Sequence, residues 1–372
     1  MVLYPAPIKN TQSIWACNRI EKRERKVFIM MKKYIARTVL TALLFCLAFP
    51  ALAADLNPMV LKSIRIVESQ LGDISKIKKD KKIGVLVITL ANPYWAEMKK
   101  RYEEWAPQMG VTVEILAAPT EGDLKSQLDT LETMVAKDYD AIIVTPMDPF
   151  NLIPGILKAN KKGIPIICSG PTVDSKALTD AGGHLNGWIS ATFLDQGRLA
   201  AEDMVKKLGK SGGDVAIIEG IPGAGQSEAR KKGASDIFKN APGVSLVSVQ
   251  PGKWNRNLAF DITTNLIKAN PKLRGLYCAN DVMALAAADA LLAAGKSEGV
   301  LIYGTDFIPE AQKAIREKKL QGSTTFSQAA WTRGALIFAV KLASKVNDLP
   351  KQLDIPIILA TFDNISDFKG WK

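Results

Sequence analysis

The chain has 372 residues, enough for two domains of ordinary size, and a formal net charge of +12. Its basic residues do not cluster among aromatic ones, so a nucleic-acid partner is not indicated. It has one histidine, His184, and after residue 53 only two cysteines, Cys168 and Cys278, which lie far apart. A zinc site, a Cys-His pair and a Ser-His-Asp group therefore lack parts, and we expect buried free thiols, no metal, no cofactor and no enzyme activity.

Residues 31–53 have the order of a secretory signal peptide. A basic segment at 31–37 precedes an apolar run at 38–49, and Ala51-Leu-Ala53 has the small-x-small form of a cleavage site. The apolar run is shorter than the roughly 18 to 20 residues that span a bilayer. We therefore expect export, cleavage after Ala53 and a soluble mature protein.

The segment before this signal has no place in it. Residues 1–29 precede the basic segment, and we expect translation to begin at Met30 or Met31. Residues 1–53 hold nine Lys and Arg against two Glu, so the net charge falls from +12 to +5 when they are removed. That balance is typical of an ordinary solvated surface.

Residues 54–81 come next and are rich in Lys toward their end. A weak helical period runs through Val60, Ile64, Ile66 and Leu71. We expect a leader or a short surface helix.

From residue 82 onward, apolar strand-like runs alternate with helical stretches in two sets. The first set predicts strands at 83–88, 111–117, 141–145 and 164–168, helices at 93–109 and 121–137, and a helix capped by Asp148-Pro149. Gly182-Gly-His-Leu185 then separates the sets. The second set predicts strands at 214–219, 244–250, 273–278 and 300–304, with helices at 196–208, 227–240, 258–270 and 282–294.

A tail follows the second set. It predicts a strand at 320–326, a helix at 331–346 and a strand at 354–360, and periodicity assigns these to neither set. Strands that alternate with helices of ten to fifteen residues build parallel sheets. The sequence therefore predicts an α/β fold of two similar lobes.

Polar and aromatic side chains recur at the carboxyl ends of the predicted strands, where open α/β sheets bind ligands. Amides donate and accept, carboxylates accept from paired hydroxyls, Arg donates in a fork, and aromatic rings cover the CH face of a sugar. Each residue taken alone also fits a helix cap, a turn, a surface ring or a solvated charge. The candidate binding residues are Asn92, Tyr94, Trp95, Arg230, Trp254, Asn280, Asp306 and Gln328.

The glycine-rich segment Gly220-Ile-Pro-Gly-Ala-Gly225 lies between a predicted strand and a predicted helix. Its spacing is not GxGxxG and no Gly-Lys-Ser/Thr follows, so dinucleotide or phosphate binding is not indicated. We interpret the segment as a turn that lets the chain approach a ligand.

With these residues in view, the chain resembles type I periplasmic sugar-binding proteins of the cluster that includes the ribose- and D-allose-binding proteins. The resemblance covers nearly all of residues 82–361. It rests on the motifs Leu90-Ala-Asn-Pro-Tyr-Trp95, Gly213-Asp-Val-Ala-Ile-Ile-Glu-Gly220, Ser227-Glu-Ala-Arg230, Gln250-Pro-Gly-Lys-Trp254, Tyr277-Cys-Ala-Asn-Asp281 and Gly304-Thr-Asp306.

This resemblance implies two Rossmann-like parallel-sheet lobes joined by a three-segment hinge, with the eight candidate residues around a sugar site between the lobes. The hinge crossings would lie near Leu185, Gln328 and Ile358. The implied domains are a removed segment at 1–53, a leader at 54–81, an N-terminal lobe at 82–185 and 328–357, and a C-terminal lobe at 186–327 and 358–372.

The resemblance also implies a role. The expected protein is a monomeric periplasmic receptor that closes over a sugar or polyol by hinge motion and delivers it to the permease of an ABC importer. The alternative is a periplasmic sensor that presents a small signal ligand to a membrane histidine kinase. Neighbouring permease and ATPase genes would favour import, and a sensor-kinase gene would favour signalling. A gene regulator of the same fold would need a helix-turn-helix where this chain has a signal peptide.

The chain departs from the family's pattern in three places. Gly170 stands at the sugar-binding aspartate of the N-terminal lobe, Ile88 replaces a lysine of the D-allose type, and Thr192-Phe193 replaces Asp-Asn. An unpaired hydroxyl costs roughly 1 to 3 kcal/mol, so we expect a ligand other than ribose or D-allose. It would have fewer hydroxyls or an apolar substituent on the Ile88 and Gly170 side. In the alternative account, Ser169 or a water replaces the aspartate.

Overall fold

The computed structural model describes residues 56–72, 79–346 and 348–371. The predicted signal peptide and start site lie outside these residues. The strands are β1 Lys82–Thr89, β2 Thr112–Ala118, β3 Ala141–Val144, β4 Ile166–Ser169, β5 Gly187–Ser190, β6 Gly213–Glu219, β7 Val244–Pro251, β8 Leu273–Cys278, β9 Leu301–Thr305, β10 Gly322–Phe326, β11 Gln352–Asp354 and β12 Ile357–Thr361.

Helices cover the faces of the sheets that these strands form. They are α1 Pro58–Leu71, α2 Pro93–Met109, α3 Leu124–Ala136, α4 Ile153–Lys162, α5 Ser175–Asp180, α6 Phe193–Leu208, α7 Gly225–Asn240, α8 Arg256–Ala269, α9 Asp281–Ala293, α10 Pro309–Arg316 and α11 Gln328–Ala343. Two short 3-10 helices lie at Gly209–Ser211 and Ile365–Phe368. In the part of the chain that the structure describes, no helix has the length and apolarity needed to cross a membrane.

The strands form two six-stranded sheets. The first has the order β11-β5-β4-β3-β1-β2 and is parallel throughout. The second has the order β12-β10-β9-β8-β6-β7, and only its edge strand β12 runs antiparallel to its neighbour. The chain passes between the sheets after β5, between β10 and α11, and between β11 and β12. The predicted fold class of two parallel-sheet lobes with three connecting segments is confirmed.

Apolar cores explain why the strands read as continuous apolar runs. Leu86 and Ile142 are fully buried in the core around the first sheet, and Phe238 is fully buried in that around the second. A parallel sheet covered on both faces buries the side chains of both faces, so its strands lose the polar half of the alternation. Cys168 and Cys278 are free and buried, as predicted, and burial raises the pKa of the Cys168 thiol to about 11.

Of the two expectations for 54–81, a leader or a short surface helix, the structure has a helix, α1, with one face buried. Its buried face carries Val60, Ile64, Val67 and Leu71, whereas Ile66 is 37% exposed. The sequence pattern assigns Ile66 to the buried face, and the structure places its neighbour Val67 there. A short helix with a weak period does not identify the face that a partner covers.

Helix α1 packs against α11. A Cβ atom at Gly334 of α11 would lie 2.4 Å from Val67 Cγ1, so the glycine permits this close approach. Arg333 Nε lies 2.5 Å from Glu68 Oε1. At the start of α1, Asn57 Nδ2 donates to the backbone oxygens of Asp367 at 2.5 Å and Lys369 at 2.9 Å. α1 therefore joins a helix that covers the first sheet to the segment after β12 of the second.

The first crossing between the sheets lies later than predicted. Strand β5 pairs with β4 in the first sheet, so the boundary near Leu185 moves past Ser190. The strand has four residues and begins with Gly187, against which the Phe338 ring packs so closely that a Cβ would lie 2.4 Å from it. Such a short segment gives no usable periodicity.

Three local predictions need correction. Helix α3 begins at Leu124 because Asp123 Oδ1 accepts from Ser126 N at 3.0 Å, which leaves Glu121 in the preceding loop. Asp148 accepts from the backbone N–H groups that follow it and holds a turn, and α4 begins only at Ile153. The predicted strand at 354–360 is two strands on different sheets, separated at Pro356, since proline cannot donate to a ladder.

Candidate ligand-binding site

A cavity of about 480 Å³, including its open part, lies between the carboxyl ends of the two sheets. Residues that follow β1, β2 and β4 line it on one side, and residues that follow β6, β7, β8 and β9 line it on the other. Seven of the eight candidate residues line this cavity, namely Asn92, Tyr94, Trp95, Arg230, Trp254, Asn280 and Asp306.

Asn92 connects the first helix of this site to a carboxylate. As the N-cap of α2, its Oδ1 accepts from Tyr94 N at 3.0 Å, and Pro93 occupies the first helical position. Its Nδ2 donates to Glu121 Oε1 at 2.7 Å. The helix start therefore positions both Asn92 and the acidic loop residue that faces the cavity.

Aromatic rings form a connected group along one wall. Tyr94 lies edge-on to Trp95 with 4.7 Å between centroids, and at 6.2 Å it lies edge-on to Phe326. Phe326 stacks on Trp331 at 4.6 Å. These contacts hold flat apolar surfaces that suit the CH faces of a ring or chain ligand.

Arg230 is the cation of the site and is held from several directions. Its Nε donates to Gln196 Oε1 at 2.7 Å, and its Nη1 donates to the backbone oxygen of Ala279 at 2.8 Å. Its Nη2 lies 3.5 Å from Asp306 Oδ1, and its side chain is 7% exposed. The Phe193 ring lies 5.6 Å from the guanidinium carbon. The guanidinium is therefore fixed in orientation before any ligand arrives.

Asp306 has an unusual backbone conformation for a residue other than glycine, with φ of 110°. Its N–H donates to Thr324 O at 2.8 Å, and the loop after it is held by Asp281, which accepts from Ile308 N at 2.9 Å and from Ser323 Oγ at 2.7 Å. Such a conformation costs on the order of 1 to 3 kcal/mol and persists only where its surroundings enforce it.

Trp254 and Asn280 complete the side that belongs to the second sheet. Trp254 has φ of 62°, and its indole packs on Gly220 so tightly that a Cβ there would lie 1.9 Å from the ring. The first glycine of the segment Gly220–Gly225 thus makes room for the tryptophan. Asn280 is 2% exposed and caps α9 by accepting from Met283 N at 3.0 Å, so one side chain both caps a helix and lines the cavity.

Gln328 does not line the main cavity. Its Nε2 donates to the backbone oxygen of Tyr94 at 3.1 Å, and its side chain lines a neighbouring cavity that also includes Asp306. It links the start of α11 to the start of α2 and so supports the aromatic wall from behind.

Burial perturbs two carboxyl groups beside the single guanidinium. Burial raises the pKa of Glu121 to about 7, although hydrogen bonding by Asn92 opposes the shift. Burial also raises the pKa of Asp306 to about 7, with Arg230 opposing and Glu121 adding to the shift. Two acids that face one fixed cation therefore titrate near neutral pH.

Several cavity residues were absent from the sequence-based candidates. Glu121 follows β2 and obeys the strand-end rule that selected the others, so the sequence carried a signal for it. Gln226 and Phe193 lie at the starts of the helices that follow β6 and β5, so the same rule covers them, whereas Trp331 lies inside α11, where no local signal marks the side that faces a cavity. Gly170 also lines the cavity.

The region of Gly170 is enclosed by apolar and aromatic groups. A Cβ at Gly170 would lie 3.8 Å from both the Phe193 and Trp331 rings. The neighbouring Ser169 Oγ accepts from Trp331 Nε1 at 2.8 Å and is 2% exposed as a residue. Ile88 lines a different cavity, so Ile88 and Gly170 do not form one side of this site as predicted.

Comparison with known proteins places this geometry among solute receptors. The model of the periplasmic binding protein domain matches residues 83–345. The D-allose-binding periplasmic protein of Escherichia coli K12 is 40% identical over 246 residues, which are 66% of this chain and 79% of that protein. The ribose import binding protein of Bacillus subtilis 168 is 29% identical over 287 residues, which are 76% of this chain and 88% of that protein.

A solved structure of a solute-binding protein is also similar to this chain. The crystal structure of an ABC transporter periplasmic solute-binding protein from Actinobacillus succinogenes 130z, with bound D-allose, is 33% identical. It aligns with a TM-score of 0.74 over 77% of this chain and 100% of that chain. The domain match begins at residue 83, so helix α1 lies outside it.

Proposed function

Because this chain belongs to the periplasmic binding protein family, we propose that it is a periplasmic receptor that captures a sugar or polyol and delivers it to the permease of an ABC importer. The observation that carries this proposal is the convergence of amide, carboxylate, guanidinium and aromatic groups from both sheets on one cavity. This set pairs with hydroxyl groups and covers CH faces. The relatives named above are sugar-binding or import proteins, which supports import over the sensory alternative.

The proposal assigns the two sheets to two lobes that close on the ligand. Residues 82–190 and 328–354 form the N-terminal lobe, with α1 packed on it, and residues 191–327 and 355–371 form the C-terminal lobe. The three connections between the sheets act as the hinge. A ligand that touches both lobes favours the closed form in proportion to its differential affinity for that form.

In this proposal the eight candidate residues keep distinct tasks. Arg230 and Asp306 bind hydroxyl groups from the C-terminal lobe, where the fixed geometry of the guanidinium makes it an efficient donor. Asn92 and Glu121 bind hydroxyl groups from the N-terminal lobe. Tyr94, Trp95 and Trp254 cover apolar faces of the ligand, Asn280 adds an amide, and Gln328 supports the wall.

The proposed ligand is not simply ribose or D-allose. The Gly170 position brings no carboxylate to the cavity, and the nearby Ser169 hydroxyl is engaged by Trp331. Glu121 supplies a carboxylate from a different loop, so the hydroxyl groups that are recognised from the N-terminal lobe should differ in position from those of the related proteins. We therefore expect a preference for a deoxy, modified or differently configured polyol.

A thermal-shift screen of pentoses, hexoses, polyols and cyclitols tests the proposal. A ligand at a hundredfold excess over Kd stabilises the protein by about 2.7 kcal/mol, which raises its melting temperature measurably. The ligand should also change the tryptophan fluorescence of the native protein. This change should be smaller in Trp254→Phe and should keep its size in the control variant Trp371→Phe. Stabilisation by an amino acid or peptide panel, with no response to any polyol, would overturn the proposal.

A further inference from the structure

A second cavity of about 500 Å³, including its open part, adjoins the main one. From the side of the first sheet, Ile88, Leu124 and Met147 line it, and Ile221 and Pro222 line it from the other side. This lining is largely apolar, so binding of an apolar ligand group here is favoured because apolar surface is removed from water.

The two cavities share part of their walls. Glu121, Gln226 and Trp254 line both of them. Gln226 is 8% exposed, and its Oε1 has no hydrogen-bond partner among the described residues. Buried acceptors are normally paired, so Gln226 Oε1 is an unsatisfied acceptor on a residue that borders both cavities.

The second cavity is bounded by loops that meet from opposite sides. Gly122 has φ of 88°, and a Cβ there would lie 3.6 Å from Ile221 Cδ1. The loop after β2 and the loop after β6 therefore approach each other closely at this point. A group held here would contact both lobes, as would the polar part of the same ligand.

We propose that this adjoining cavity is a subsite for an apolar substituent carried by the bound sugar or polyol, such as the alkyl or aryl group of a glycoside. The inference rests on the proposed function, because it needs a polyol in the main cavity. Ile88 supports it, since this residue brings an apolar side chain to the cavity at the position where the D-allose type has a lysine. The ligand's hydroxyl groups bind in the main cavity, and the substituent lies beyond Glu121 and Trp254.

Titration calorimetry on the full-length mature protein tests the subsite. The probes are D-ribose, D-allose and D-arabinose, each as the free sugar and as its methyl and phenyl glycosides in both anomeric forms. We expect at least one phenyl glycoside to bind tenfold or more tightly than its free sugar, with the methyl glycoside between them. If free sugars bind and no phenyl glycoside improves on its parent, the subsite is refuted while the proposed function stands. If no sugar binds in either form, the subsite is refuted, whereas the proposed function fails only if the thermal-shift screen also finds no polyol ligand.

Variants locate the gain. Ile221 is half-buried and lines only the second of these two cavities, so Ile221→Asp should abolish the tenfold gain and leave the free-sugar Kd within about twofold. The matched control is Val247→Asp, at a 39% exposed position on β7, which should retain the gain. Leu124→Trp, which fills the cavity from the other lobe, gives an independent variant if Ile221→Asp does not fold. A gain that survives in Ile221→Asp or Leu124→Trp would overturn the inference.

Discussion

The substitution Asp306→Asn should weaken ligand binding and at the same time stabilise the ligand-free protein at alkaline pH. Asparagine keeps the size of the side chain and tolerates positive φ better than most residues, so the change isolates the charge. The carboxyl group is 8% exposed, and its contact with Arg230 at 3.5 Å is long for a charged pair. Burial without a close partner explains why the charged form is disfavoured.

The magnitude follows from the pKa. Burial raises the pKa of Asp306 from 3.8 to about 7. This shift corresponds to a contribution on the order of 4 kcal/mol to the free energy of unfolding, made by the protonated carboxyl group. Because the folded protein holds the proton more tightly than the unfolded chain, this contribution is fully present below pH 4 and is lost as the pH rises to about 7. The wild type and Asp306→Asn should therefore be similarly stable near pH 4, and the variant should be more stable at pH 8 by a few kcal/mol.

Chemical denaturation of the ligand-free proteins at pH 4, 6 and 8 measures this difference. Calorimetry with the best ligand of the polyol screen measures binding, where loss of a charge-assisted hydrogen bond should cost roughly 1.5 to 3 kcal/mol. The control is Asp261→Asn, at an exposed position on α8, which should change neither quantity. Equal stability of the wild type and Asp306→Asn at pH 8, or unaltered binding, would refute the reasoning.

Four further outcomes are expected. Burial raises the pKa of Glu121 to about 7, so its carboxyl group ionises and becomes a better hydroxyl acceptor between pH 6 and 8. The affinity for a neutral polyol, measured by calorimetry, should therefore rise over this range, and by less in Glu121→Gln. The same pH dependence of affinity in the wild type and the variant would count against this role. Asn57→Ala removes the cap of α1 and the two hydrogen bonds to the segment after β12, and it should lower the free energy of unfolding by about 2 kcal/mol. An unchanged midpoint of chemical denaturation would contradict this. Gly170→Asp should raise the affinity for ribose or D-allose relative to other polyols in a competition assay, although φ of 93° strains the aspartate. An unchanged order of affinities would contradict the prediction. N-terminal sequencing of the exported protein should begin directly after Ala53, and a chain that retains residues 1–30 would exclude the predicted signal.

Local rules accounted for much of the candidate site. Asn92-Pro93 marks the start of α2 because an asparagine cap and a following proline satisfy the helix end without tertiary help. The candidate residues near strand ends were found because parallel strands bring their carboxyl ends to one edge of a sheet. Seven of them line one cavity for that reason, and Glu121 fits the same rule.

The sequence by itself determined the alternation of strands and helices, the two parallel sheets and the set of polar groups at their ends, since these depend on periods and caps within short segments. Only the tertiary structure decided which face of α1 is buried, that Trp331 reaches the cavity from within a helix, that Gln328 lies behind the wall, and that Ile88 lines a separate cavity. These features depend on how elements that are distant in the sequence pack against each other. Packing joins residues that are hundreds of positions apart and leaves no period in the local sequence.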